Sequence, residues 1–265
     1  MTFKRRREPH RSFAANVAKR VFAELQLKHP TEISIDDIAF MRNALVDDVD
    51  GLGARANAVR FGGGRTIISV RRDLSSEARR FAVAHELGHL EVHPNTSYLG
   101  LCTDDDMTSA YRESGHEQEA NAFAAELLMP ESLFGRGCDV PRVSWQPVER
   151  LATAFEVSLT SAAMRFVELC PERVALVCSK DKRILWSWRG PDFGKRIERG
   201  RELDTYSLAI DFWEKGSVPK GPETVSASAW IDGASDNAEL VEHAIAFNSI
   251  GWVLSLLWIK PDADW

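Results

Sequence analysis

Apolar side chains recur every three or four positions over some stretches of the chain and every second position over others, and this sorts it into elements. Phe13, Val17, Val21 and Leu25, with Phe22, repeat at helical spacing and predict an amphipathic helix. Ile35, Ile38, Ala39 and Leu45 predict a second helix over residues 34–45, and the Asp- and Gly-rich run at 47–53 reads as a turn. Residues 59–61 and 66–70 read as two strands joined by the glycines at 62–64. A longer helix is predicted over 80–94, with Phe81, Ala84, Leu87 and Gly88 in period, Ser75 or Ser76 as cap, Glu77 in the first turn and Pro94 as stop. Residues 95–114 have no period and are rich in Asp, Thr and Ser. Helical spacing returns over 117–130, where Ala120, Phe123, Ala124, Leu127 and Leu128 face a core, and two short helical patterns lie between Pro147 and Leu169. Beyond Pro171 a hairpin (174–178 and 184–188), a helix (204–213) and two strands (225–231 and 252–259) are predicted. The mixture predicts an α+β chain.

Bulk properties narrow the class. The chain has 265 residues, 44% hydrophobic and 27% charged, with a formal charge of -6, which suits a soluble globular protein of one larger and one smaller unit. The longest apolar run, 252–259, is too short to span a bilayer, and the basic start is not followed by an apolar core, so a cytoplasmic protein without a membrane partner is expected. Four cysteines without C-x-x-C spacing read as reduced thiols. Residues 1–30 carry eight lysines and arginines against two glutamates, a surplus read as a solvated face rather than a nucleic-acid contact.

Chemistry concentrates in two helices. His85-Glu86-x-x-His89 sets two imidazoles one turn apart on one face, where they can share a zinc ion, with Glu86 carried round toward a metal-bound water. A third ligand is needed, and the metzincin histidine is absent because Val92 and Asn95 stand where that pattern needs Gly and His. Glu117 and Glu119 compete for the role. Glu117 is preferred because Asn121, four residues on, shares its face and can hydrogen-bond one histidine ring. Tyr98, Tyr111 and His93 are the candidate contacts to substrate and transition state.

The two motifs together resemble the ImmA/IrrE family of bacterial metallopeptidases. The matching text is Arg79 to His89 with His93 after it, and Glu117-x-Glu119-Ala120-Asn121-x-Phe123-Ala124-Ala125-x-Leu127-Leu128-Met129-Pro130. The resemblance implies a minimal thermolysin-like zincin domain of helices plus a small antiparallel sheet, one zinc per chain and a glutamate as third ligand. It also implies cleavage of a helix-turn-helix transcriptional repressor in a stress or mobile-element response. The expected layout is a basic tail and helix (1–30), a zinc peptidase domain (31–140), a helical, helix-turn-helix-like segment (141–170) and a C-terminal α+β domain (171–265), GAF-like and sensory by analogy with some relatives. Residues 1–30 are too short for the DNA-binding module of a common family layout. The 141–170 segment shows no basic recognition face, so direct nucleic-acid binding is not expected. The competing reading is a latent or degenerate peptidase acting as a ligand-sensing regulatory module.

Overall fold

A computed structural model describes residues 10–61, 64–94, 115–235 and 237–261. The chain divides into two compact units, Met1–Leu133 with Ala152–Ser158, and Phe134–Leu151 with Leu159–Trp265.

The first unit opens with α1 (Arg11–Glu24), whose buried stripe is Ala14, Val17, Ala18 and Val21. Phe13 is exposed, and Ala14 and Ala18, both fully buried, lie on the stripe in its place; α4 is the neighbour of α1. In α2 (Ile35–Met41) the Ser34 hydroxyl accepts the Asp37 amide at 3.1 Å, and Asp36 and Asp37 lie in the first turn. The predicted second helix is shorter than expected: its last residues enter strand β1 (Ala44–Val49), which also takes in the aspartates read as a turn. β2 (Ala56–Arg60) and β3 (Thr66–Arg71) form the expected antiparallel pair, and β1 joins β3 in parallel, giving the order β1-β3-β2.

β3 leads into α3 (Ser76–Val92), capped by the Ser75 hydroxyl on the Ala78 amide. From Ala82 to His89 every residue of α3 is buried, so this helix runs through the unit rather than over it. Its main partner is α4 (Gly115–Leu128), which buries Glu119, Ala120, Phe123, Ala124, Glu126, Leu127 and Leu128.

After α5 (Glu131–Phe134), α6 (Trp145–Phe155) is shared by the two units. The second unit contains α7 (Leu159–Leu169), β4 (Arg173–Lys180), β5 (Arg183–Arg189), α8 (Asp211–Lys215), β6 (Glu223–Ser226), β7 (Glu239–Phe247) and β8 (Trp252–Ile259). Its five-stranded sheet has the order β5-β4-β8-β7-β6. Interior strand β4, between β5 and β8, is buried along almost its whole length, which its unbroken Val-Ala-Leu-Val-Cys run suits. Ala175 and Val177 join Phe193 and Trp230 in one core, and α7 packs on β4 and β5. Among the described residues no helix is long and apolar enough to cross a membrane.

Candidate metal centre

The site is built where α3 and α4 touch. Gly88 makes that approach close: a Cβ there would lie 2.9 Å from the Ala120 carbonyl oxygen and 3.0 Å from Ala120 Cα. With the helices this near, the side chains three positions before and one position after Gly88 meet the one a turn before Asn121. His85 Nε2 and His89 Nε2 are 3.0 Å apart, His85 Nε2 and Glu117 Oε2 3.1 Å, and His89 Nε2 and Glu117 Oε2 3.4 Å.

These three atoms form a nearly regular triangle. Bonds of 2.0–2.1 Å at tetrahedral angles require ligand atoms roughly 3.3 Å apart, so the donor set matches one zinc-sized ion in both type and spacing. Asn121 Oδ1 lies 2.8 Å from His85 Nδ1. An amide oxygen only accepts, so His85 donates from Nδ1 and keeps the Nε2 lone pair directed into the triangle. Both histidines are buried and the Glu117 side chain is 15% exposed, which leaves an open side for water or substrate.

Charge is arranged to match. Burial works against ionisation of Glu117, but its contacts with the two imidazoles hold its carboxyl well below the usual carboxylate range. Burial also opposes protonation of His85, yet Glu117 and the neighbouring Glu86 carboxylate raise its pKa, while at His89 burial prevails and lowers it. Glu86 itself is 1% exposed.

The other sequence-predicted residues fall elsewhere. Glu119 is not in the triangle: its Oε1 accepts the His10 amide at 2.7 Å and its Oε2 lies 3.0 Å from His93 Nε2. His93, the C-cap of α3, therefore stands with Glu119. Tyr98 and Tyr111 lie outside the described residues.

The residues that brace α3 were not singled out by sequence reasoning. Arg79 grips Asp36 through both Nη atoms (2.8 and 2.9 Å) and Asp48 through Nε (2.7 Å), tying the start of α3 to α2 and β1. Arg42 holds Glu91 at the other end through Nε (2.8 Å) and Nη2 (2.7 Å). The buried Arg80 guanidinium donates to the carbonyls of Phe155, Glu156 and Pro30. A basic pair opening a helix is the only trace of this in the sequence, and it looks like a solvated turn.

Residues 42–167 match the IrrE N-terminal-like domain of the Peptidase M78 family. A curated relative, "Uncharacterized immunity region protein 2" of Bacillus phage phi105, is 36% identical over 66 residues, 24% of this chain. The match spans 38% of that relative's length. Among solved structures, a Mycobacterium tuberculosis transcriptional regulator has a similar fold, with a TM-score of 0.60 over 95% of this chain and 77% of that one at 15% identity.

Proposed function

We propose that the chain, whose residues 42–167 match the IrrE N-terminal-like domain of the Peptidase M78 family, is a zinc-dependent endopeptidase acting on a protein substrate. The observation that carries this is the His85–His89–Glu117 triangle, whose edges of 3.0–3.4 Å suit one tetrahedral ion with a coordination position to spare. His85 Nε2, His89 Nε2 and Glu117 Oε2 are assigned to hold the metal, and Asn121 to fix the His85 ring. A bound zinc ion would supply Lewis acidity toward the scissile carbonyl and make a water molecule acidic near neutral pH. To Glu86 we assign the proton: its carboxylate takes it from the attacking water and passes it to the leaving amine. Among the described residues β2 is an edge strand packed beside α3, which suits reception of an extended segment of substrate by strand addition.

The substrate class we favour is a helix-turn-helix transcriptional repressor. Support comes from the resemblance of the two motifs to ImmA/IrrE peptidases and from the relative whose name places it in a phage immunity region. The test is to incubate the zinc-loaded chain with a panel of such repressors and map products by mass spectrometry. Glu86→Gln should retain zinc and lose cleavage by at least about 10²–10⁴-fold. Cleavage at the wild-type rate by that variant would overturn the assignment. A zinc-loaded wild-type chain that cleaves none of the panel would favour the second reading, a latent peptidase serving as a regulatory module, which the fold shared with a transcriptional regulator over 95% of the chain supports.

A further inference from the structure

Helix α4 presents chemistry on two sides. Glu117 and Asn121 serve the triangle, while His116 and Glu119, three apart and so neighbours on the helix surface, turn toward His93 at the end of α3. The Nε2 atom of His93 is 3.0 Å from Glu119 Oε2, again the separation of two ligands on one tetrahedral ion. The rings of His93 and His116 lie 4.2 Å apart between centroids and 30° from parallel. One ligand atom from each of His93, His116 and Glu119 falls within 4.8 Å of the others. The two donor sets share no residue, although the His89 and His93 rings are only 6.4 Å apart.

We propose that His93, His116 and Glu119 form a second divalent-metal site, beside the catalytic one and separate from it. The argument begins with Glu119, a carboxylate 1% exposed, for which removal from water must be offset by cationic or hydrogen-bonding partners. Its Oε1 has the His10 amide, so Oε2, beside His93 Nε2, is the atom turned to an ion. A plain histidine–carboxylate hydrogen bond would account for His93 but gives no reason for His116 to be stacked on it. A two-histidine, one-carboxylate set accounts for all three, and its chemistry selects zinc or another first-row divalent ion over calcium or magnesium. The role that follows is a clamp: the ion would join the C-cap of α3 to the first turn of α4 and, through Glu119, to the residue preceding α1. The His93 and Glu119 side chains are 8% and 2% exposed, so an ion here would sit largely out of bulk water.

The experiment is calorimetric titration of the full chain, stripped with chelator, with Zn²⁺ alone. Wild type should take up two equivalents. His116→Gln and His93→Gln should each take up one, and the glutamine at 93 can still donate to Glu119, which keeps the fold when the ligand is lost. His85→Ala should also take up one. Binding of a single equivalent by wild type, or two by both glutamine variants, would overturn the second site and leave an ordinary ion pair. Loss of no equivalent in His85→Ala would instead contradict the catalytic assignment, so the two failures are distinguishable. Thermal melting with excess Zn²⁺ adds a readout independent of stoichiometry: wild type should gain more than His116→Gln, and equal gains would count against the clamp.

Discussion

Gly88→Ala tests whether the distance between two helices sets the third ligand. On a helix the change by itself favours folding by about 1 kcal/mol, because alanine is the better helix former. Here the added methyl would meet the Ala120 carbonyl oxygen at 2.9 Å, Ala120 Cα at 3.0 Å and Phe123 Cβ at 3.2 Å. The first two are backbone atoms of α4, so no rotamer change relieves them. Relief requires α3 and α4 to part by roughly half an ångström, and overpacking of this kind costs about 1–3 kcal/mol. The net expectation is a loss of about 1 kcal/mol. The larger consequence falls on the metal, since His85 and His89 ride on α3 and Glu117 on α4. Separation stretches the 3.1 and 3.4 Å edges while leaving the 3.0 Å edge within α3 unchanged. Zinc affinity should fall about 10–100-fold, the range seen when support of a metal ligand is lost. Chelator competition gives the affinity and urea denaturation the stability. Gly53→Ala is the control, for a Cβ there meets nothing within 4 Å. A Gly88→Ala chain that gains stability and binds zinc within twofold of wild type would refute the idea that this contact sets the site.

Two further perturbations probe buried charge. Arg80→Met removes a guanidinium that satisfies three backbone carbonyls of the first unit, and should lower its unfolding free energy by about 2–4 kcal/mol; a loss under about 0.5 kcal/mol in urea melts would show those carbonyls to be otherwise satisfied. Glu242, on β7 of the second unit, is pushed up to about 7 by burial, against the pull of donors from Leu208, Ala209, Trp230 and Ser255. A folded-state pKa raised above that of the unfolded chain favours the protonated carboxyl in the folded state. Its contribution is therefore complete below about pH 4.5 and lost as pH rises toward 7, about 2 kcal/mol of it between pH 5 and 7. Comparing urea melts at those two pH values should show this fall in wild type and its absence in Glu242→Gln, and an equal fall in both would remove Glu242 as its source.

Legibility in the sequence followed the range of the forces involved. Periods of 3.6 and 2 depend on neighbours a few residues apart, which is why α1, α3, α4, α7, β3 and β8 could be read directly. β1 could not, because Asp47 and Asp48 look like turn residues until Arg79, 31 residues from Asp48, supplies the charge that lets a strand carry them. β7 was hidden for a related reason: Glu242 and His243 interrupt its apolar pattern, and Glu242 is tolerated only because four donors from distant residues converge on it. The helix expected over 204–213 is largely irregular chain that delivers two of those donors, with only α8 helical beyond it.

The site divides in the same way. His85 and His89 could be paired from spacing alone, because four residues on a helix fix their geometry. Choosing between Glu117 and Glu119 required a long-range argument. The two carboxylates are two residues apart, so the rotation of α4 about its axis directs them to different neighbours. Gly88 against Ala120 sets that rotation: it faces Glu117 and Asn121 toward the two histidines and leaves Glu119 for His93 and the His10 amide. The glycine inside the helix of the two histidines and the two acids inside one motif thus have a single physical cause. Because that contact fixes the rotation of α4, moving the carboxylate one position along the helix should not carry the metal site with it. The double variant Glu117→Ala/Gln118→Glu is expected to stay zinc-deficient at the His85–His89 pair by mass spectrometry, and recovery of tight zinc there would show that α4 is free to rotate.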